Sequence, residues 1–457
     1  VKAAFAAFSF FGGKDRRRRY NANQSSGDAC VIQKPPRTRQ IVAAVIGNAL
    51  EWYDFVVYGF LTIIIARLFF PAQSEYASLL LTMATFGVGF FMRPVGGIVI
   101  GMYADRKGRK AALQLIIALM TLSMAMIAFA PPYAAIGIAA PLLILLARLL
   151  QGFATGGEFA SATSFLVESA PVHRRGFYGS LQMVGQSLAA LSGAIAGTLI
   201  TRGFAPEQID AWGWRLPFLF GLVIGPVGLY IRRYLEETEA FIESRRAGAV
   251  HNPLRTVIAR NWRGLAVTFG LVICGTISYY VVLVYMPTFA KTQLGMPLTD
   301  AFVAQVIGLV CLTLAIPLFG ALSDQIGRKP VLMAATIAYF VLLYPLFDWV
   351  HASPSLARLA IMQGILCTLV GVFLGPISTA IAEQFPTGVR STGLAIAYNF
   401  AVMLFGGFAQ FIVTWLIRET GSPLAPAYYV MFGAVVGFIA SVFLVERHRD
   451  EHLPRMP

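Results

Sequence analysis

Twelve stretches of this chain are each long and apolar enough to cross a bilayer, and nothing else about it limits the possible folds as strongly. A helix needs about 20 apolar residues to traverse about 30 Å of hydrocarbon. The runs are 41–65, 78–102, 112–130, 138–166, 177–200 and 214–232, then 264–290, 301–322, 331–350, 357–381, 392–416 and 427–445. Of the 457 residues, 57% are hydrophobic and only 13% charged, about half the charge of a soluble domain. Such a chain cannot cover its surface with polar groups. This excludes an ordinary soluble enzyme, a disordered chain and a nucleic-acid-binding domain, and it predicts a multi-pass protein embedded in a lipid bilayer.

The net charge of +14 does not point to nucleic acid, because the basic residues sit in the short loops between runs. One side receives Arg16–Arg19, the Arg106–Lys110 cluster, Arg174, Arg175, the basic residues of the central loop, Arg328, Lys329, Arg390, Arg447 and Arg449. The other receives Arg67, Arg202, Arg215, Lys291, Arg358 and Arg418. The positive-inside rule makes the first side cytoplasmic and predicts both termini there, in a cell membrane of plasma or inner type. In the first 38 residues, apolar Ala3–Phe11 precedes Arg16–Arg19, the reverse of a signal peptide. They read as a disordered basic tail, or one that touches anionic lipid. The remaining segments are a first bundle over 39–232, a cytoplasmic linker over 233–263, a second bundle over 264–446 and a short tail over 447–457. Cys274, Cys311 and Cys367 fall in apolar runs and Cys30 in the tail, so no disulfide is expected.

The two sets of six runs repeat one another. Gly101-Met-Tyr-Ala-Asp105-Arg-Lys-Gly108-Arg109-Lys110 follows the second run, and Gly320-Ala-Leu-Ser-Asp324-Gln-Ile-Gly327-Arg328-Lys329 follows the eighth. Both read G-x-x-x-D-x-x-G-R-K. After the fourth and tenth runs, Glu168-Ser-Ala-Pro171 leads to Arg175 and Glu383-Gln-Phe-Pro386 leads to Arg390. Two motifs in the same order at corresponding runs predict a duplicated unit: an all-α membrane protein of two pseudo-symmetric six-helix bundles around a central cavity.

The doubled loop resembles the signature of the major facilitator superfamily, and Arg148-Leu-Leu-Gln151-Gly152 is similar to its R-x-x-Q-G motif. Gly47-Asn48-Ala-Leu-Glu51-Trp-Tyr-Asp54-Phe, Arg93-Pro94-Val-Gly96-Gly97 and Gly156-Gly157-Glu158 resemble the metabolite:proton symporters of that superfamily, over about residues 40–446. The stretch Phe70-Pro71-Ala-Gln-Ser-Glu75-Tyr-Ala-Ser78-Leu is most similar to citrate–proton symporters and their tricarballylate relatives. The resemblance implies a monomeric secondary transporter that imports a small carboxylate with protons by alternating access. Protons would be the coupling ion, and no other cofactor is implied.

Ionisable groups inside hydrocarbon are expensive and therefore functional by default. Five stand out: Glu51, Asp54, Arg93, Arg148 and Glu158. Helical periodicity puts Asn48, Glu51, Asp54 and Tyr58 on one stripe of the first run, expected to face a cavity. Arg93 falls near mid-membrane, where guanidinium offers a carboxylate two parallel donors; a packing salt bridge to Glu51 or Asp54 is the plainer reading. Arg148, Gln151, Thr155 and Glu158 share a face of the fourth run. Glu158 suits proton exchange, or an ion pair beside close-packed glycines. Gln182 and Gln186 share a face of the fifth run, and Tyr279, Tyr280 and Asn399 offer neutral partners from the second half, though such groups also serve as interhelical glue.

The repeated loops read as a cytoplasmic gate. Gly101 and Gly320 allow close helix contact, while Asp105 and Asp324 can each meet a helix N-terminus. The family resemblance assigns Asp105 to the eleventh helix and Asp324 to the fifth. Arg109 is expected on Glu168 and Arg328 on Glu383, with Arg175 and Arg390 completing the network. The plainer reading is a topology signal. The chain has no H-E-x-x-H and no G-x-x-x-x-G-K-[ST], and its five histidines do not cluster in the sequence, which speaks against metal or nucleotide chemistry and against an enzyme. An osmolyte symporter, an efflux antiporter and a non-transporting sensor are the alternatives.

Overall fold

The computed structural model describes residues 37–107, 109–156, 158–222, 225 and 253–446. The tail through residue 36, about half of the sixth run, most of the linker, and the tail after 446 lie outside the described residues, as does Cys30. For Glu51, Gly101, Asp105, Arg109 and Glu158 only the helical backbone is described.

Among the described residues, eight helices are long and apolar enough to span a membrane: Glu75–Ile100, Val172–Gly203, Trp262–Val284, Leu298–Ile326, Arg328–Ala352, Leu356–Ala382, Arg390–Thr420 and Ala425–Val442. The first run forms a bent pair, Val45–Phe60 and Thr62–Phe69, at 65°. The third is helical over Arg109–Ala128, and the fourth is two helices, Ala139–Thr155 and Glu158–Glu168. Hydropathy does not show either break. At the first, the Thr62 hydroxyl donates to the Gly59 carbonyl (2.7 Å), a back-bond of the kind that bends helices. The second falls at the Gly156-Gly157 pair, whose poor helix propensity permits it. The linker ends in a further helix, Pro253–Arg260.

Two spans carry a π-helical turn, Tyr279–Val284 in the seventh and Val402–Gly406 in the eleventh. Such bulges re-aim side chains and are frequent at functional sites. Large apolar side chains such as Ile98, Leu199, Leu314, Leu318 and Phe443 point outward, as expected where the surroundings are lipid.

The two halves meet on both sides of their centre. Toward the end bearing Arg175, Arg328 and Arg390, here the basic face, the Thr379 hydroxyl donates to the Arg175 carbonyl (2.8 Å). Gly176 and Gly320 bring the fifth and eighth spans so close that a Cβ on Gly320 would lie 2.6 Å from that of Ser180. Toward the opposite face, the Phe60 and Phe302 rings meet edge to face at 6.1 Å. There the Thr299 hydroxyl donates to the Thr201 carbonyl (3.2 Å).

Candidate substrate and proton site

Glycine packing between the second and fourth spans places two arginines at the centre of the first half. A Cβ on Gly152 would run into the Gly89 carbonyl, and one on Gly156 into the Arg93 carbonyl. A Cβ on Gly89 would in turn lie 2.8 Å from the Arg148 carbonyl. The helices touch backbone to backbone, the close approach that small residues permit in membranes. Helix Glu75–Lys107 continues through Pro94, so Pro94 does not break it.

Among the described residues, both guanidinium groups are buried against aromatic rings and neither forms an ion pair with a carboxylate. Arg148 has no exposed surface, and its guanidinium carbon lies 4.5 Å from the Tyr58 ring, 4.8 Å from Phe55 and 4.9 Å from Phe86. It donates to the Gln151 side chain, but Nε and Nη2 have no partner among the described residues. Arg93 lies 5.1 Å from Phe90, 5.6 Å from both Trp52 and Phe55, and 6.0 Å from Tyr398 of the second half. Its Nε and Nη1 are likewise unpartnered. Ring faces offset part of the cost of a buried cation, about 2 kcal/mol when desolvated, but they leave its N–H donors unbonded. Phe55 is common to both groups, so the sum of the two ring distances bounds the separation of the guanidinium carbons.

A cavity of about 40 Å³ is lined by Trp52, Gln186, Tyr279, Tyr280 and Tyr398 among others, and Arg93 packs on two of these rings, Trp52 and Tyr398. A small-molecule site holds about 300 Å³ or more, so the arrangement is contracted. Tyr398 stacks flat on Phe159 at 3.6 Å and closes the basic-face side of the centre.

Of the stripe expected on the first span, the described side chains Asn48, Asp54 and Tyr58 do not line this cavity, whereas Trp52 of the same span does. Asn48 instead donates to the Gln182 carbonyl (2.8 Å) and accepts from the Gln182 amide (3.1 Å), joining the first and fifth spans. The Tyr58 hydroxyl donates to the Thr82 carbonyl (3.3 Å) of the second span. Asp54 is buried, with Oδ1 unpartnered, and faces Gly221 of the sixth span and Met124 of the third. It lies within electrostatic reach of Arg148 but makes no ion pair with Arg93 among the described residues. The reason is angular: the described members of the stripe meet four different neighbouring helices, the second, third, fifth and sixth. Gln186 lines the cavity, while Asn399 donates to the Gly156 carbonyl (2.7 Å), a bond between halves. The sequence reading passed over Trp52 and Tyr398, since aromatic residues are ordinary in membrane spans.

At the basic face, Asp324 accepts from the main-chain N–H groups of Gly176 (2.7 Å) and Phe177 (2.9 Å), the free donors at the start of the fifth span. Arg328 lies 3.0 Å from Asp324 and 3.4 Å from Glu383. Gly327 between them has φ of 101°, which explains a glycine in the motif. Burial raises the Glu383 carboxyl above the ordinary glutamate range, with Arg328 and then Arg175 opposing. Glu168 pairs at 2.5 Å with Arg390 of the other half, where Arg109 was expected; the Arg109 side chain lies outside the described residues. Glu446, which the sequence reading missed, accepts from the Arg328 main-chain N–H and caps the ninth span. Its signal was an acid directly after the last apolar run.

The family model for sugar (and other) transporters matches residues 40–251 and 243–452, once for each half. The chain belongs to this family of the major facilitator superfamily. It is 38% identical over 407 residues to a citrate-proton symporter of Salmonella typhi, covering 89% of this chain and 94% of the relative. It is 34% identical over 429 residues to a proline/betaine transporter of Escherichia coli strain K12, covering 92% of this chain and 85% of the relative. A D-xylose-proton symporter of known structure shares the fold with a TM-score of 0.69 at 18% identity, covering 89% of this chain and 97% of that one. The protein is thus a multi-pass, proton-coupled membrane transporter of the superfamily rather than an enzyme.

Proposed function

We propose that the chain imports a small organic acid, of the citrate type, together with protons. The observation that carries this reading is the pair of buried guanidinium groups, Arg93 and Arg148, whose nitrogens include several unpartnered among the described residues; Arg93 packs on Trp52 and Tyr398, which line the cavity. Free N–H donors on permanent cations are built for carboxylate oxygens. Arg93 borders the cavity through Trp52 and Tyr398 and holds one carboxylate there. The citrate-proton symporter relative supports the same substrate class.

Arg148 links the anion to the proton. It stands within electrostatic reach of Asp54, the buried acid of the first span. When a substrate carboxylate engages Arg148, Asp54 loses its counter-charge and takes up a proton. When the anion leaves, the pair re-forms and the proton is released. Glu51 and Glu158 are further candidates for this exchange. One chain encloses the cavity, so a monomer is the working unit. The basic face is cytoplasmic by its loop charges, and its Asp324, Arg328, Glu383, Glu168 and Arg390 contacts form the inner gate that must break for release.

A second reading has its own observation. Trp52, Tyr279, Tyr280 and Tyr398 line the cavity as an aromatic surround, the environment that recognises quaternary ammonium groups. A betaine would set its ammonium there and its single carboxylate on Arg93, in line with the proline/betaine relatives. Competition for proton-driven uptake separates the two. Citrate and other polycarboxylates should displace the transported acid while betaine and proline do not; the reverse order would replace the first reading by the second.

A further inference from the structure

We infer that Gln410 is a specificity-determining residue of the second half, which completes with Arg148 and Tyr280 a subsite for a carboxylate that carries a neighbouring O–H. The inference rests on the organic-acid reading above and deepens it.

Gln410 lies in the eleventh span, wholly buried, and neither end of its amide has a hydrogen-bond partner among the described residues. Leaving a buried polar group unbonded costs about 1–3 kcal/mol, so a purely structural glutamine would be expected to find a partner. Other buried amides of the same half do: Gln363 donates to the Gln305 side chain (2.8 Å) and the Val282 carbonyl (3.1 Å), and Asn399 to Gly156.

The position of Gln410 ties it to Arg148. Its Nε2 sits 3.3 Å from where a Cβ of Gly59 would be, and that same Cβ would lie 3.8 Å from the Phe86 ring. Phe86 and Tyr58, the neighbour of Gly59 in the chain, are two of the rings against which the Arg148 guanidinium packs. One helical turn before Gln410, Gly406 packs on the Tyr280 ring, where a Cβ would approach to 2.9 Å. The Tyr280 hydroxyl is also buried and unpartnered, and it lies within electrostatic reach of Arg148. The π-helical turn Val402–Gly406 ends beside Gly406 and sets the register of this face.

These groups offer unbonded donors from Arg148 (Nε and Nη2) and the Gln410 amide nitrogen, a Tyr280 hydroxyl that can donate or accept, and one group that only accepts, the Gln410 amide oxygen. Whichever way the amide is turned, it presents one donor and one acceptor. A carboxylate alone would leave the acceptor unbonded. A carboxylate with an adjacent hydroxyl satisfies both ends, and a site built to bond a substrate hydroxyl rejects the analogue that lacks it.

The test compares citrate with tricarballylate, which lacks the hydroxyl, as competitors of proton-driven citrate uptake in proteoliposomes. Wild type should favour citrate by about tenfold or more. Gln410→Met should bring the ratio close to one. If Gln410→Met reconstitutes poorly, Gln410→Glu, which keeps an acceptor and loses the donor, is assayed for thermal stabilisation by each acid in detergent. That variant should weaken both acids yet still favour citrate. A wild type without preference, or a Gln410→Met protein that keeps the full preference, overturns the inference. A wild type that responds to neither acid overturns the organic-acid reading instead.

Discussion

At the scale of single residues, the decisive fact is that two permanent cations are buried against rings and, among the described residues, form no ion pair with an acid. Arg93 and Arg148 keep N–H donors that have no partner among the described residues, in a setting where each unmet donor is costly, a cost that the proposed anion would relieve. Charge alone does not do this work. Arg93→Lys keeps the charge but loses the planar fork, and uptake should fall about 100-fold with unchanged protein levels in the membrane, as read from initial rates in whole cells. Both arginines and Asp54 were legible in the sequence, because a charge inside an apolar run has few innocent explanations. Their directions were not. Periodicity placed Asn48, Asp54 and Tyr58 on one stripe, yet they meet the fifth, the third and sixth, and the second spans respectively. Which helix lies opposite each residue is a tertiary fact that a helical wheel does not contain.

At the scale of elements, glycines and helix breaks position these groups. The contact of Gly156 with the Arg93 carbonyl leaves no room for a methyl group. Gly156→Ala should therefore destabilise the protein by about 1–3 kcal/mol, measured by denaturation in detergent, and lower uptake by moving Arg93. The G-x-x-x-D-x-x-G-R-K loops and the Gly156-Gly157 pair announced such contacts, whereas the π-helical turns left no hydropathy signature. Their placement has a logic of its own. The 219-residue offset that relates Gly101 to Gly320 carries Leu61, at the bend of the first span, to Tyr280 in the π-helical turn of the seventh.

The basic-face network should respond to pH through Glu383. Its carboxyl faces Arg328, Arg175 and Glu446, and burial raises it above the ordinary glutamate range. The closed arrangement then binds the proton more readily than an opened one with Glu383 in water. Acidification toward the ordinary glutamate value should therefore favour closure, and that preference should fade as pH rises through the elevated value. Labelling rates of a cysteine placed at Ser180 would report this, and Glu383→Gln should remove the dependence.

At the scale of the whole molecule, the two halves share a frame but divide the work. The 215-residue offset that relates Glu168 to Glu383 carries Arg148 to Gln363. Gln363 is a neutral amide with its bonds made, while Arg148 is a cation with bonds to spare. Duplication supplied the scaffold, and at this pair of related positions the cation stands in the first half and a neutral amide in the second. The second half contributes the rings of Tyr279, Tyr280 and Tyr398 and the amide of Gln410. The repeat and the runs were legible because both depend on residue type at fixed spacing. The partnership of the halves was not, since Glu168 with Arg390 and Asn399 with Gly156 join segments more than 200 residues apart.

The central claim is that Asp54 and a substrate anion share Arg148, so that binding one carries the other. Accumulation of labelled citrate in proteoliposomes under an imposed proton gradient, compared between wild type and Asp54→Asn, tests it most directly. Wild type should accumulate citrate and lose it on addition of a protonophore, and Asp54→Asn should exchange citrate across the membrane without concentrating it. An Asp54→Asn protein that concentrates citrate as the wild type does would contradict the account.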